Sequence, residues 1–432
     1  MFSNCEITSN GISFSSAQTS KFKTSILVFS ITVPLTPERL INNALLAGIF
    51  RRGTHSLPSI SSLNKSLDEL YGSCVEVRST NKGKNLSLMI IVDVIDNKYV
   101  PDDTDVLGGA IDIVSELILA PHFCDSDFPK SIFEQEKKIL VDNLLAIKNN
   151  TRAYSIKRCS DIMHEGSPEH LTYEQSIALA KDASFDNVLK YYKEIILNSP
   201  MEIFYMGASD PSPIKKKLSC VFADKKCSLT SSKNQLAASK RSSFCSISEK
   251  MPVSQGKLAL GFSTGVTLAD DYHTALMFNE IFGGSASSKL FLNVREKMGL
   301  CYFCSSSYGI HNGILRVSCG IEVNKRELAK KAILEQLEDI KNGKISDFEL
   351  EAARKSIANG YRQLYDSPFD VYNFYSARSF FGIFESIEDC CEKLLAVTPH
   401  QICEFARSIS LDAEFFIEGT SLEADEEDFE ND

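Results

Sequence analysis

The sequence has no stretch of about 18 uncharged apolar residues, the length that a membrane-spanning helix needs. Its start, MFSNCEITSN, lacks the basic segment and the apolar run of an export signal. A basic stripe and an RNA-binding signature are also missing. These absences predict a cytoplasmic protein that neither spans a membrane nor binds nucleic acid.

Much of the negative charge lies at the C terminus. Residues 421–432, SLEADEEDFEND, hold seven acids and no base, and without them the net charge of -11 falls to about -4. A segment with so few apolar residues cannot bury enough surface to fold. We therefore expect a disordered, solvating acidic tail, with partner binding by the tail as the alternative.

Thirteen cysteines are scattered through apolar segments, an odd number in a chain without an export signal. This distribution favours buried, reduced thiols over disulfides. Cys301 and Cys304 form a lone C-x-x-C motif with no matching second pair. If this segment is a strand, side chains three residues apart point to opposite faces, so the motif predicts neither a metal site nor a redox pair.

The length of 432 residues and a hydrophobic content of 43% predict two or three domains with ample cores. A boundary is expected at residues 223–250, which are rich in Ser and Lys and have little apolar periodicity. This gives an N-terminal domain of residues 1–222, the linker, a C-terminal domain of residues 251–420 and the acidic tail.

The two halves resemble each other. Residues 60–80, ISSLNKSLDELYGSCVEVRST, align with residues 287–307, SSKLFLNVREKMGLCYFCSSS, when Gly72 is placed on Gly299. Each segment begins with a helix signal, stops at the glycine and passes into a strand, and a turn, a second strand and a long helix follow. The repeat predicts an α+β fold of two tandem homologous domains, each a mostly antiparallel sheet with helices packed on one face.

These segments, together with SIFEQEKKILVDNLL at residues 131–145, resemble the pitrilysin/insulinase family of zinc metallopeptidases, which includes the mitochondrial processing peptidases. The resemblance covers nearly the whole chain in order. It is strongest to the zinc-free bacterial YmfF-like group, which is associated with aminopentanol modification of elongation factor P. It implies a LuxS/processing-peptidase-like fold in which the two domains form a half-shell.

Active members of the family carry His-x-x-Glu-His on a helix just before a Gly-Thr step. The two His bind zinc and the Glu activates the attacking water. Anchored on the Gly-Thr step of RRGTHSLPS, the resemblance puts Ala44 and Gly48 at the His positions and Ala47 at the Glu position. None of the three can bind zinc or take a proton, so an apolar helix that only packs is expected.

A further Glu completes the zinc site of active members and corresponds here to Asn143 or its neighbour Asp142. Histidines elsewhere are poor replacements. His55 lies past the turn, in a loop that Pro58 keeps extended. Residues 164–170, HEGSPEH, contain Gly and Pro, so His164 and His170 are expected in a loop. The remaining histidines are expected to be isolated surface or core residues: His122, His273, His311 and His400.

The second half departs less from the family. Active members use an Arg and a Tyr in a pattern like R-E-K-x-G-x-x-Y to grip the peptide and the developing oxyanion, and REKMGLCY supplies them as Arg295 and Tyr302. A guanidinium and a phenol are suitable oxyanion donors. The alternative is a surface ion pair for Arg295 and a half-buried strand aromatic for Tyr302. The internal repeat has Asp68 and Val75 at these places.

The Gly-rich segment FGGSAS contains Gly283, Gly284 and Ser285. Such loops assist substrate access in some family members. The alternative is the end of one helix and the N-cap of the next.

The resemblance therefore implies a catalytically inactive subunit that assists peptide binding and transition-state stabilisation. Its partner is a zinc-bearing homologous chain in a heterodimer, or a second copy of itself, and no cofactor is expected on this chain because the zinc is on the partner. Two alternatives stay open. One is a peptide-binding or scaffold protein without a role in turnover. The other is an autonomous zinc peptidase with ligands relocated to His55, His164 or His170.

Overall fold

The structure is a computed structural model that describes residues 2–7, 11–228 and 243–420. The predicted acidic tail lies outside the described residues. The chain forms two compact units, Met1–Leu144 with Glu174–Lys233 and Leu145–Tyr173 with Asn234–Asp432. Within the described ranges, no helix combines the length and the apolar character needed to cross a bilayer.

The first unit contains a six-stranded sheet with the order β1-β2-β6-β3-β5-β4. All neighbouring strands are antiparallel except β2 and β6, which are parallel. The strands are β1 (Phe2–Ile7), β2 (Ile12–Gln18), β3 (Thr24–Pro34), β4 (Cys74–Lys82), β5 (Asn85–Ile95) and β6 (Met201–Gly207).

The helices of this unit have strong start signals. The Thr36 side chain accepts a hydrogen bond from Arg39 N at the start of α1, and Pro37 occupies the first turn, where it needs no N–H partner. Ser59 and Ser62 form a reciprocal capping box on α2. The helices are α1 (Pro37–Phe50), α2 (Ile60–Glu69), α3 (Val106–Leu119), α4 (Lys130–Ala146), α6 (Tyr173–Asp182), α7 (Phe185–Asn198) and α8 (Pro211–Val221), where α4 and α6 run across the unit boundary.

The second unit contains a five-stranded sheet with the order β7-β11-β8-β10-β9, in which only β7 and β11 are parallel neighbours. The strands are β7 (Cys245–Met251), β8 (Gly256–Ser263), β9 (Cys301–Gly309), β10 (Ile314–Ile321) and β11 (Ser410–Gly419). The predicted fold class, two tandem domains built on mostly antiparallel sheets with helices, is confirmed.

The helices of the second unit lie between its strands in the sequence, except α5 (Thr151–Met163), which precedes the first of them. Two segments, Glu280–Gly284 and Leu290–Lys297, are wound as π-helix. The α-helices are α5 (Thr151–Met163), α9 (Tyr272–Asn279), α10 (Arg326–Lys341), α11 (Asp347–Leu364), α12 (Pro368–Phe380), α13 (Ile387–Leu395) and α14 (Pro399–Ser408).

The core of this unit lies on one face of its sheet, where Leu258, Leu260 and Phe262 of β8 are fully buried. Helix α5 covers the other face. A Cβ on Gly261 would lie 2.8 Å from the sulfur of Met163 on α5, so the missing side chain permits close packing.

The structure differs from the sequence division at two places. Residues Leu145–Tyr173, which the sequence assigned to the N-terminal domain, group with the second unit because α5 packs on that sheet. The linker predicted at residues 223–250 overlaps β7, which pairs with β11 from Cys245 onward. Part of that linker, residues 229–242, lies outside the described residues.

The two repeat segments have matching backbones. Gly72 and Gly299 have φ angles of 71° and 61°, a left-handed conformation that costs glycine little. Each lies between a helical segment and the first strand of a hairpin, β4–β5 in one unit and β9–β10 in the other. Cys74 and Cys301 therefore occupy equivalent positions, as the first residues of β4 and β9.

Candidate functional site

The first candidate site is the face of α1 that carries Ala44, Ala47 and Gly48. Residues three and four apart share a helix face, so these positions are adjacent. Ala44 and Ala47 are half-buried and Gly48 is fully buried. The side chains offer no atom that binds a metal or transfers a proton.

This face of α1 meets a buried carboxylate on α4. A Cβ on Gly48 would overlap Glu136 Oε2 and lie 3.0 Å from its Cδ. Glu136 is 7% exposed, and Arg52 Nε donates a 2.6 Å hydrogen bond to its Oε1. At Gly48 this face therefore packs against one half of a buried ion pair.

The resemblance points to residues further along α4 and therefore does not identify Glu136. Asn143 and Asp142, which the resemblance aligns with the downstream zinc-binding Glu, are both exposed. Glu136 lies about two helical turns before Asn143. Glu136 could have been found from the sequence EQEKK, because it lies three residues after Phe133 and so on the same, buried side of α4.

His55 lies in the loop after the Gly-Thr step, as expected, but it has a charged neighbour. Its Nδ1 is 3.0 Å from one oxygen of Asp125, and His122 Nδ1 is 3.1 Å from the other. Burial alone would raise the pKa of Asp125, but hydrogen bonds from the two imidazoles lower it. The Asp125 hydrogen bond raises the pKa of His55.

His122, expected to be a surface or core histidine, is buried and has acidic neighbours. His122 begins a short 3-10 turn, which brings its ring close to the carboxylates of Asp125 and Asp127. Ligand atoms of the three residues lie within 4.8 Å of one another. Among the described residues of the first unit, these three form the one group whose ligand atoms are close enough together to hold a metal ion.

The loop predicted at residues 164–170 is confirmed, because α5 ends at Met163 and α6 starts at Tyr173. His164 and His170 stack with ring centroids 4.9 Å apart. Each ring also has a protein partner: His164 Nδ1 is 2.9 Å from Ser160 O, and His170 Nε2 is 2.8 Å from Asp161 Oδ1. The stacked pair is therefore part of the packing around the end of α5.

Arg295 and Tyr302 lie on consecutive elements joined by the turn at Gly299. Arg295, near the end of the π-helical segment Leu290–Lys297, has a side chain that is 39% exposed. Its guanidinium lies 4.6 Å from the centre of the Phe291 ring and 3.5 Å from Glu296. Tyr302 is 57% exposed on β9. Both donors are accessible, and Tyr302 is not the half-buried aromatic of the alternative.

The strand that carries Tyr302 is bulged at that residue. Phe303 pairs with Gly320 of β10, and the next pair joins Cys301 to Ile321. Tyr302 is thus an extra residue without an opposite partner, which defines a β-bulge. The bulge changes the face of the sheet to which the side chains before Tyr302 point, relative to those after it.

This bulge contradicts the expectation that Cys301 and Cys304 point to opposite faces of the sheet. An extra residue between Cys301 and Cys304 cancels the alternation, so both side chains point to the same face of the sheet. There they meet Cys319, the partner of Cys304 on β10, and the three sulfurs lie within 4.8 Å of one another. The alternation of side chains along a regular strand does not predict this cluster.

The Gly-rich segment forms the end of a helix. Glu280–Gly284 is π-helical, and Ser285 leaves the helix with extended backbone angles. A Cβ on Gly283 would lie 2.6 Å from Ser306 N, so close packing against β9 requires glycine. The geometry matches the alternative of a helix end, with Ser288 accepting from Phe291 N at the start of the next segment.

A second polar cluster surrounds Cys390, which is fully buried. The hydroxyls of Tyr272 and Tyr361 lie 3.1 and 3.2 Å from its sulfur, and His273 Nε2 and Arg378 Nη2 lie 3.6 Å away. Burial opposes ionisation of the thiol, but these hydrogen bonds and the arginine charge lower its pKa. His273, expected to be a surface or core histidine, is buried and belongs to this cluster.

Comparison with known proteins gives a consistent result. The family model described as Peptidase M16 inactive domain matches residues 182–357. Over 411 residues, which are 95% of this chain and 96% of the relative, the chain is 30% identical to the probable inactive metalloprotease YmfF of Bacillus subtilis.

Solved structures share the fold. A conserved protein from Enterococcus faecalis superposes with a TM-score of 0.90 at 25% identity, covering 97% of this chain and 99% of the other. A protease from Helicobacter pylori superposes with a TM-score of 0.80 at 13% identity, covering 96% and 99% of the two chains. The second similarity concerns the fold alone.

Proposed function

Because the chain belongs to the M16 peptidase family, in the branch of inactive homologues that includes YmfF, we propose that it is the zinc-free subunit of a two-chain peptidase in the cytoplasm. Its partner is a zinc-bearing homologue, and its substrate is a peptide. This chain binds the peptide backbone and stabilises the transition state, while the attacking water belongs to the partner.

The observation that carries the proposal is the contact of Gly48 with Glu136. Zinc coordination by this helix needs an imidazole at residue 48, but even a methyl group there would overlap the Glu136 carboxylate. Ala44 and Ala47 add no ligand, and Arg52 already neutralises Glu136. The residues of this helix therefore do not fit a zinc ion, and no catalytic step of this chain runs through one.

The assisting role is supported by the exposure of Arg295 and Tyr302. A guanidinium donates two parallel hydrogen bonds to a carbonyl or tetrahedral oxygen, and a phenol adds one directed donor. Donors of this kind accelerate acyl transfer when they meet the oxygen on which charge develops. In the described part of the chain, Arg295 has a 3.5 Å contact with Glu296 and lies over the Phe291 ring, and its side chain is exposed enough to turn toward a ligand.

The strand order supports binding of an extended peptide. β9 is an edge strand of its sheet, and Tyr302 is the second residue of this strand. An extended peptide can add to such an edge through main-chain hydrogen bonds. The edge would then hold the backbone, and Arg295 and Tyr302 would contact one carbonyl.

The direct test is reconstitution. We expect the purified chain to contain no stoichiometric zinc and to show no peptidase activity, and to stimulate peptide cleavage when it is mixed with a zinc-bearing homologue encoded beside it. Peptidase activity of the isolated chain that is lost on chelation and restored by zinc contradicts the proposal.

The role of the pair is tested in the mixture with Arg295→Ala and Tyr302→Phe. Loss of a transition-state donor lowers kcat and kcat/KM together, by about 100-fold for a well-placed group. Matched controls are Arg407→Ala and Tyr71→Phe, which change exposed side chains on other elements. Equal turnover of all four variants would instead support the scaffold alternative.

The autonomous alternative has one specific observation in its favour, the cluster of His122, Asp125 and Asp127 with His55 nearby. His122→Ala distinguishes it. If the isolated chain is a zinc peptidase through this cluster, the variant loses both metal and activity, whereas the two-chain proposal expects no change in the stimulation of the partner.

A further inference from the structure

Three cysteines meet in the second unit, on two adjacent strands. Cys304 of β9 and Cys319 of β10 are direct cross-strand partners, and the bulge at Tyr302 turns Cys301 to the same face. The three sulfur atoms lie within 4.8 Å of one another. Among the described residues, this is the one group in which every candidate ligand atom is a sulfur.

The cluster is enclosed but has one accessible member. Cys304 and Cys319 are 3% and 0% exposed and belong to the core of the unit. Cys301 is half-buried at the start of β9 and packs against that core. Cys301 is therefore the least buried of the three residues.

Two positive side chains, Arg295 and Lys257, act on the sulfurs of the cluster. Hydrogen bonds from Cys304 and Cys319, together with the charge of Arg295, lower the pKa of Cys301 although burial opposes this. Lys257, on the strand next to Cys319, adds a second positive charge. Hydrogen bonds to Cys301, together with burial, raise the pKa of Cys304 and of Cys319.

We propose that Cys301, Cys304 and Cys319 form a three-thiolate site for a thiophilic d10 metal ion. Metal–sulfur bonds of about 2.3 Å put the sulfurs of such a site roughly 3.8 Å apart, so a small contraction of the observed cluster completes it. The metal displaces the thiol protons of the three cysteines, and these protons are released to solvent. Arg295 and Lys257 offset the negative charge of the thiolates.

Two ions share this chemistry. Cu(I) is satisfied by three soft thiolates. Zn(II) takes a fourth ligand, which a water can supply on the open side of Cys301. Hard ions such as Mg²⁺ are excluded because the cluster has no oxygen donor.

The inference is independent of the two-chain proposal, because it concerns binding by the isolated chain. The test uses reduced, metal-free protein titrated with Cd²⁺, which reports thiolate ligation by its sulfur-to-metal charge-transfer absorption. We expect saturation at one equivalent with release of protons. Competition with Zn²⁺ and with Cu(I) then identifies which ion the site prefers.

Variants locate the site. Cys301→Ser and Cys304→Ser should each weaken Cd²⁺ binding by more than about tenfold and lower the absorption at saturation. Cys159→Ser is the matched control, because Cys159 is a buried cysteine of the same unit outside the cluster. Thermal unfolding of each variant checks its fold, and Cys301→Ser at the half-buried position is the least disturbing of the three.

Two results would overturn the inference. One is a wild-type chain that shows no charge-transfer absorption on Cd²⁺ addition while its thiols are reduced. The other is a folded Cys301→Ser variant that binds Cd²⁺ with the affinity and absorption of the wild type.

Discussion

Gly48 on α1 and Glu136 on α4 are in contact so close that a methyl group on Gly48 would overlap the carboxylate. The carboxylate cannot easily withdraw, because Arg52 Nε holds its other oxygen at 2.6 Å. The absence of a side chain at residue 48 and the presence of the buried acid therefore depend on each other.

Gly48→Ala should lower the free energy of unfolding by about 1–2 kcal/mol, because overpacking outweighs the helix propensity gained from alanine. Urea unfolding of the purified variant measures this. The control is Gly360→Ala within α11, where an added Cβ meets no atom within 4 Å. This control should be stabilised by up to about 1 kcal/mol, and equal effects at the two sites would contradict the packing argument.

The overlap also predicts coupling between residues 48 and 136. Glu136→Ala alone removes the partner of Arg52 and should destabilise the fold. In the Gly48→Ala background the same change relieves the overlap, so the double variant should be more stable than the sum of the single effects by about 1 kcal/mol. Additive free energies of unfolding would show that the two residues do not constrain each other.

Asp96 is a fully buried carboxylate that should make stability depend on acid pH. It accepts from Ser25 Oγ at 2.5 Å, from Lys98 N at 3.0 Å and from the backbone N of Ala208 and Ser209 at 2.8 and 3.0 Å. Burial opposes ionisation, but these hydrogen bonds outweigh it and lower the pKa from 3.8 to about 2.

A carboxylate with a lowered pKa stabilises the fold fully above its unfolded pKa, near 3.9, and the contribution disappears as the pH falls toward 2. Asp96→Asn should therefore cost about 1–3 kcal/mol at neutral pH and much less near pH 2. Asp103→Asn, at an exposed position, is the control. Urea unfolding at several pH values measures both, and a pH-independent difference would contradict the assignment.

Cys390 should stabilise the fold as the buried hydrogen-bond acceptor of Arg378. The arginine is 5% exposed and its Nη2 lies 3.6 Å from the Cys390 sulfur. Cys390→Ala leaves a buried guanidinium without this acceptor and should destabilise the fold by about 3 kcal/mol. Cys403→Ala, at another buried cysteine, should cost less because only packing is lost. Chemical unfolding of both variants decides this, and similar losses would mean that Cys390 is an ordinary core thiol.

Local patterns in the sequence predicted the elements and their repeat, because caps and glycine stops act over a few residues. Ser59 caps α2, and Gly72 and Gly299 end their helical segments with positive φ angles. The tandem arrangement of two sheets with helices followed from this periodicity. The lack of metal-binding side chains on this face of α1 was also predicted, because it depends only on the residue types.

Features that depend on contacts between residues far apart in the sequence could not be predicted from it. Nothing in residues 151–163 indicates which sheet will cover the apolar side of α5, and the helix packs on the second one. The ion pair of Arg52 with Glu136 joins residues 84 positions apart. The grouping of Cys301 with Cys304 depends on a single extra residue in β9, for which the sequence carries no marker.

The bulge at Tyr302 has a consequence for solubility. β9 is the last strand of its sheet, and an unbroken edge strand is a template to which other chains add strands during aggregation. The bulge restricts the regular edge to residues 303–309 and increases its local twist. The terminal strand can therefore accept one short extended segment, but it offers a poor surface for the repeated stacking of whole chains.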